Sequence, residues 1–196
     1  MPLKNQFTTS DYIPWAEMLS LVHKLYRDGD YRFSCLIACG CGFGLRIGDL
    51  LRISTWAVLL DNEQLDLVEE KTGKHRILRI NPNLQRIIKD CYNALGCPNK
   101  GEHCFINHRG TIYSREWVNR HLKAIKAKYG LSVEHLSSHS FRKTFGRHVV
   151  EMSKGQEEHA LIVLSELFSH NSVATTRKYL GLRAQELGAV YDKLDF

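Results

Sequence analysis

Arg46 stands just after a glycine break, in Gly44-Leu45-Arg46-Ile47-Gly48-Asp49-Leu50-Leu51, where a short helix is expected to start. Leu45, Ile47, Leu50 and Leu51 mark that segment as core-facing, so Arg46 and Asp49 are charges set among apolar neighbours. At their i, i+3 spacing the two can pair. An arginine held in this way presents a fixed guanidinium fork that matches phosphate oxygens. A second arginine, Arg142, lies one turn after His139 in His139-Ser140-Phe141-Arg142, so the two share a helix face. Phe141, Phe145, Val149 and Val150 bury that helix, and a buried Arg142 needs an anionic partner or substrate. His170 sits in Ser169-His170-Asn171-Ser172 between two helical stretches, and Tyr179 follows nine residues later beside Arg177 and Lys178. Taken singly, each has an ordinary reading: a helix-end histidine, a solvated arginine, a half-buried tyrosine.

These residues hang on a mostly helical framework. Thr9 or Ser10 is placed to cap a first helix reaching residue 27, with Ile13, Ala16, Leu19, Leu21, Val22 and Leu25 as its apolar positions. Asp28-Gly29-Asp30 ends it. A very apolar second helix covers residues 31–41, a break follows at 42–44, and a short helix spans 46–53. The pattern then changes, and residues 58–60, 64–68 and 76–80 read as three short strands. Asp61-Asn62-Glu63 and Lys71-Thr72-Gly73-Lys74 supply the turns of a small antiparallel sheet. Pro82 opens a helix to residue 95. A helix over 114–129 puts Trp117, Val118, Leu122, Ile125 and Tyr129 on one face and Arg115, Asn119, Lys123 and Lys126 on another. Helices are expected at 141–152, 157–168, 174–180 and 183–194, the last with Leu187, Val190, Tyr191 and Leu194 as an apolar stripe. The expected class is mainly α with a small antiparallel β-sheet, α+β.

A chain of 196 residues suits one domain with a real core. Its net charge of +6 is compatible with a polyanionic partner. No apolar run reaches the roughly 18 residues of a membrane span, and residues 1–10 lack a signal-peptide pattern, so a cytoplasmic protein with no membrane partner is expected. The six cysteines are then expected to stay reduced, and none forms a C-x-x-C pair. His103, Cys104 and His108 are the best remaining metal candidates but lack a fourth ligand nearby, and no metal is expected.

The order Arg46, Lys71 in a β-turn, His139-x-x-Arg142, His170, Tyr179 resembles the tyrosine recombinase, or phage integrase, family. Gly-Leu-Arg-Ile-Gly-Asp, Lys-Thr-Gly-Lys, Ser-Phe-Arg-Lys-Thr-Phe and Ser-His-Asn-Ser-x-x-Thr-Thr-x-x-Tyr look like that family's motif blocks, over residues 33–179. Two departures stand out. Position 169 is Ser where the family commonly has Gly, and the interval from Arg142 to His170 is several residues longer than usual, with 153–158 as the insertion.

The resemblance implies the family's catalytic-domain fold over residues 1–180, with a helical tail at 181–196 that protomers can exchange. It implies a site-specific recombinase, integrase- or invertase-like and of bacterial or mobile-element origin, that cleaves and rejoins double-stranded DNA through a 3′-phosphotyrosine, without metal, ATP or other cofactor. Tyr179 would be the nucleophile and His139 the base. Arg46 and Arg142 would neutralise the transition state, and His170 would donate to a non-bridging oxygen. Lys71, on a mobile turn, would be the general acid, with Lys74 as the alternative. Asp49 would orient Arg46 and its neighbours, and Arg115, Lys123 and Lys126 would lie along DNA. The free protein would be a monomer that forms a tetramer on DNA. The alternatives are a type IB topoisomerase-like enzyme and a catalytically inactive DNA-binding regulator of the same fold, whose expected mark, a missing Arg, His or Tyr, is not found. Only about 32 residues precede the match. A stand-alone minimal recombinase and an excised catalytic domain both fit that start.

Overall fold

A computed structural model of the chain describes residues 10–182, Tyr191 and Asp192. The chain divides into two compact units, Met1–Phe145 and Gly146–Phe196. In the first, α1 (Trp15–Arg27), α2 (Tyr31–Phe43), α3 (Ile47–Ile53) and α4 (Trp56–Leu60) precede a hairpin of β1 (Gln64–Val68) and β2 (His75–Arg79). Two more helices, α5 (Pro82–Ala94) and α6 (Arg115–Tyr129), follow. A further helix, α7 (Ser138–Met152), starts in the first unit and ends in the second, which also holds α8 (Glu157–Phe168) and α9 (Val173–Leu180). The α+β class read from the sequence is the class observed.

The core of the first unit is built round α2, which is buried on all sides from Phe33 to Cys41 and packs against α1 and α5. The Asp30 side chain caps it by accepting from the Phe33 N–H. It ends at Gly44, in the left-handed region at φ 60°. A Cβ there would stand 2.5 Å from the Phe145 ring, so conformation and packing both require glycine. Because of that close approach, the residues after Gly44 lie against the start of α7.

Besides ends that shift by one or two residues, such as α2 running to Phe43 past the expected stop at 41, three differences from the sequence reading have a local cause. Ser10 does not cap α1, which begins after Pro14; its hydroxyl lies 2.6 Å from that of Ser137 instead, and Thr9 is outside the described residues. Residues 58–60 belong to α4 rather than to a strand, because Thr55 accepts from the Val58 N–H and caps a helical turn, leaving a two-stranded antiparallel sheet. The third is α7, which begins at Ser138 rather than at 141. Ser137 accepts from the His139 N–H, and Ser140 reaches back to the Ser137 N–H, a reciprocal cap that draws His139 into the first turn. The expected helix at 183–194 lies almost wholly outside the described residues.

The hairpin pairs Gln64 with Arg79 through Val68 with His75. Leu65 and Leu67 point inward, whereas Val68 and Ile77 stand exposed. In the second unit, Leu161, Leu164 and Phe168 of α8 and Leu180 of α9 are buried. Phe168 and Leu180 close on Gly146, where a Cβ would meet them at 3.1 and 2.6 Å. No helix among the described residues is long and apolar enough to cross a membrane.

Candidate active site

In the first unit, Arg46, Lys71, Arg115, His139 and Arg142 line one cleft of about 550 Å³. Arg46 is the residue before α3, Lys71 sits in the β1–β2 turn, Arg115 opens α6, and His139 and Arg142 occupy the first turns of α7. The N-termini of α6 and α7 therefore add their partial positive charge to the side chains. Arg142 is 5% exposed, and its Nη1 donates to the Gly44 carbonyl at 2.7 Å. That bond ties the second arginine to the chain two residues before the first.

Arg46 is held by a carboxylate other than the one expected. Its Nη1 donates to Glu69 Oε2 at 2.8 Å, while Asp49 accepts from the Glu70 N–H at 2.8 Å and faces Arg52 at 3.6 Å. Asp49 thus holds the turn that carries Lys71, and Glu69 takes the Arg46 role assigned to Asp49 from their i, i+3 spacing. Glu69 is fully buried, with Arg76 Nε 2.8 Å from its other oxygen and the Thr72 hydroxyl donating at 2.6 Å. Burial pushes the Glu69 carboxyl up, but the Thr72 hydroxyl and the Arg46 and Arg76 guanidiniums outweigh it and hold the group below the ordinary glutamate value.

His139 is exposed at the cleft, yet it is pulled below the ordinary histidine value, first by desolvation from the cleft walls and then by the charges of Arg115, Arg142, Lys143 and Lys71. That direction favours the neutral ring, the form able to accept a proton. Lys71 lines the cleft; Lys74 is not among the lining residues. Of the three residues expected along DNA, Arg115 faces this cleft. Lys123 and Lys126 line an adjoining groove that His139 also borders, and Lys126 Nζ donates to the Glu134 carbonyl at 2.6 Å. Asn119, on the same helix face, accepts from the Ser138 N–H at 2.8 Å and so fixes the start of α7.

The second unit holds His170 and Tyr179. The α8 helix ends on Ser169, in the left-handed region at φ 52°. Its N–H bonds to the Glu166 carbonyl and the His170 N–H to that of Ser165, a paired closure that sets the His170 backbone. His170 Nδ1 lies 2.9 Å from the hydroxyl of the fully buried Thr176. If that hydroxyl donates, Nε2 carries the ring proton and becomes a donor. The imidazole packs edge-on against Tyr179, ring centroids 5.2 Å apart, and Phe168 supports both rings. Ser172 caps α9, the eight-residue helix that carries Tyr179, by accepting from the Thr175 N–H.

The sequence reading missed Glu69 and the place of Arg115. Glu69 was signalled by alternation: it continues the inward face of Leu65 and Leu67, and an inward carboxylate requires cations. No grouping of His, Cys, Asp or Glu suited to a metal occurs among the described residues, so His103, Cys104 and His108 do not form such a group. All six cysteines are free, and five are buried.

The family model described as phage integrase family matches residues 12–186. The chain is 30% identical over 154 residues to tyrosine recombinase XerC of Pelobacter propionicus, covering 76% of this chain and 47% of that protein. With XerC of Rickettsia prowazekii it shares 30% identity over 164 residues, 83% of this chain and 51% of the relative. It spans about half the length of these curated relatives. Among solved structures, XerA recombinase superposes with a TM-score of 0.66 at 20% identity, over 94% of this chain and 66% of that one. A lambda integrase dimer bound to a COC′ core site gives 0.64 at 17% identity, over 89% and 49%. These two structural likenesses are of fold.

Proposed function

The chain belongs to the phage integrase family, and from that premise we propose that it is a site-specific recombinase that cleaves and rejoins double-stranded DNA through Tyr179. The observation that carries this reading is the cleft of the first unit, where Arg46, Lys71, Arg115 and Arg142 set four cationic side chains around His139. A phosphoryl transition state spreads negative charge over its non-bridging oxygens. Two buried or anchored guanidinium forks match that charge and need little rearrangement to do so.

The Tyr179 oxygen attacks the phosphorus and gives its proton to His139. The bond from phosphorus to the 5′-oxygen breaks, and Lys71 protonates the departing oxygen. The products are a 3′-phosphotyrosine and a free 5′-hydroxyl, and the reverse step joins a new 5′-hydroxyl. The phosphodiester energy stays in the covalent link, so neither ATP nor metal enters the scheme. Arg46 and Arg142 hold the non-bridging oxygens, and His170 adds a donor from Nε2. Glu69, rather than Asp49, orients Arg46. DNA runs along the groove bordered by Lys123 and Lys126, its backbone phosphates supplying most of the affinity. Four protomers assemble on two duplexes from monomers, with residues 181–196 as the exchanged segment. A bacterial cytoplasm is the compartment this substrate implies.

The test is a duplex nicked beside the cleavage point, so that the freed strand diffuses away and traps the intermediate. Phosphate label is expected in an SDS-resistant adduct joined through the DNA 3′ end, leaving a free 5′-hydroxyl. No adduct on any duplex carrying the cognate site, or one joined through the 5′ end, contradicts the reading.

A further inference from the structure

We propose that Glu69 is a positioning residue that docks the Lys71 turn against Arg46 before DNA arrives. The proposal rests on the assignment of Lys71 as general acid. Residues Lys71, Gly73 and Lys74 of the turn are solvent-exposed, so apolar burial does not hold them. Polar ties hold the turn instead. The Glu69 carboxylate accepts from Thr72, next to Lys71, and from Arg46 across the cleft wall, with Arg76 beside its other oxygen. The turn is closed on Glu69 itself, whose N–H donates to the Lys74 carbonyl and whose carbonyl accepts from the Gly73 N–H, both at 2.9 Å. Two further bonds run from the turn and its strand to α3: the Glu70 N–H to Asp49 at 2.8 Å, and Arg52 to the Val68 carbonyl at 2.7 Å.

Glu69 alone among these groups touches both the Lys71 turn and the arginine of the cleft. A general acid acts only when it stands within hydrogen-bond reach of the departing oxygen. A lysine on a free turn would have to be ordered during the reaction, whereas a docked turn is ordered beforehand. A buried carboxylate bound by two guanidiniums is also hard to leave unpaired, which favours the docked arrangement. The mobile turn expected from the sequence is therefore replaced by a latched one.

A sulfur leaving group separates this role from general structural support. In DNA whose 5′-bridging oxygen is replaced by sulfur, the departing thiolate needs no proton, so loss of a general acid no longer matters. Single-turnover cleavage by the 196-residue chain is measured on both substrates. Lys71→Ala calibrates the assay: if sulfur fails to restore it, the general-acid assignment itself falls, and the Glu69 proposal with it. Given that rescue, Glu69→Gln is expected to cleave ordinary DNA about tenfold or more slowly, to bind it with unchanged affinity, and to recover most of that loss on the sulfur substrate, the remainder being the share carried through Arg46. A wild-type rate on ordinary DNA, or an equal loss on both substrates, overturns the proposal. Thr72→Val removes only the hydroxyl donor and guards against a Glu69 variant that fails to fold. It is expected to show the same sulfur-dependent recovery from a smaller loss, and an equal loss on both substrates, or none, overturns the proposal there as well.

Discussion

The two units hold their candidate groups in different ways. In the first, Arg46 is fixed by Glu69, 23 residues away, and Arg142 by the Gly44 carbonyl, 98 residues away. In the second, His170 is fixed by Thr176, six residues on, and by the turn that ends α8. Tyr179 rides on a helix of eight residues, a length that is marginal without packing. Groups that meet developing charge gain most from being preset, because a preset dipole does not reorganise during the reaction. A nucleophile that must form and break a bond is carried by a local element instead. Substitutions of the charged cleft groups in the first unit are therefore expected to act on rate, and those in the turn that ends α8 in the second on local order.

Arg142→Lys offers the strongest way to break that comparison. It keeps the charge but loses the fork and the Gly44 bond. Cleavage is expected to fall by about 10²-fold or more with little change in DNA affinity. Single-turnover rates near wild type would show that presetting is not what the first unit supplies. Gly44→Ala attacks the same anchor through the backbone. A left-handed alanine with its Cβ against Phe145 should cost about 2–4 kcal/mol of unfolding free energy, read by denaturant titration. A loss below about 0.5 kcal/mol would mean that the Phe145 contact yields easily.

Arg115→Ala sharpens the electrostatic part. Arg115 heads the charges that lower His139, after burial. Removing it lets the imidazole rise toward the ordinary histidine value, so more of the base is protonated in mild acid. The acid limb of the cleavage rate should move to higher pH, while the rate above neutrality changes less. A limb that stays in place would separate His139 from the proton transfer. The smallest effect is expected at Ser169→Gly in the second unit. Serine occupies a left-handed position that glycine adopts without strain, so the change should stabilise by a few tenths to about 1 kcal/mol, with cleavage unaltered. Destabilisation would show that the serine side chain holds the turn.

What was legible in the sequence follows from what acts locally. The turn at 71–74, and with it the pairing of the strands it joins, was readable from Lys-Thr-Gly-Lys, and the end of α1 from Asp-Gly-Asp. Residues 58–60 were not legible, because three apolar residues have no distinguishable period and the helical turn there depends on a cap from Thr55. Arg46 was paired with Asp49 because a sequence displays only near neighbours such as i, i+3, whereas Glu69 reaches Arg46 through the fold. Arg115 was placed on a DNA-facing helix surface, but position along a helix does not tell which cleft its first residue enters. The unusual Ser169 was visible as a departure, and its left-handed φ supplies the reason a glycine is common there.

The central claim is that Tyr179 forms the covalent bond to DNA, and Tyr179→Phe in the nicked-duplex capture assay addresses it most directly. One hydroxyl contributes little to an interface dominated by phosphate contacts, so the variant should bind the duplex with wild-type affinity. It should form no SDS-resistant adduct, while a digest of the wild-type adduct should place the DNA on the peptide containing Tyr179. Capture by the Phe variant, or DNA on the exposed Tyr191, would contradict the account.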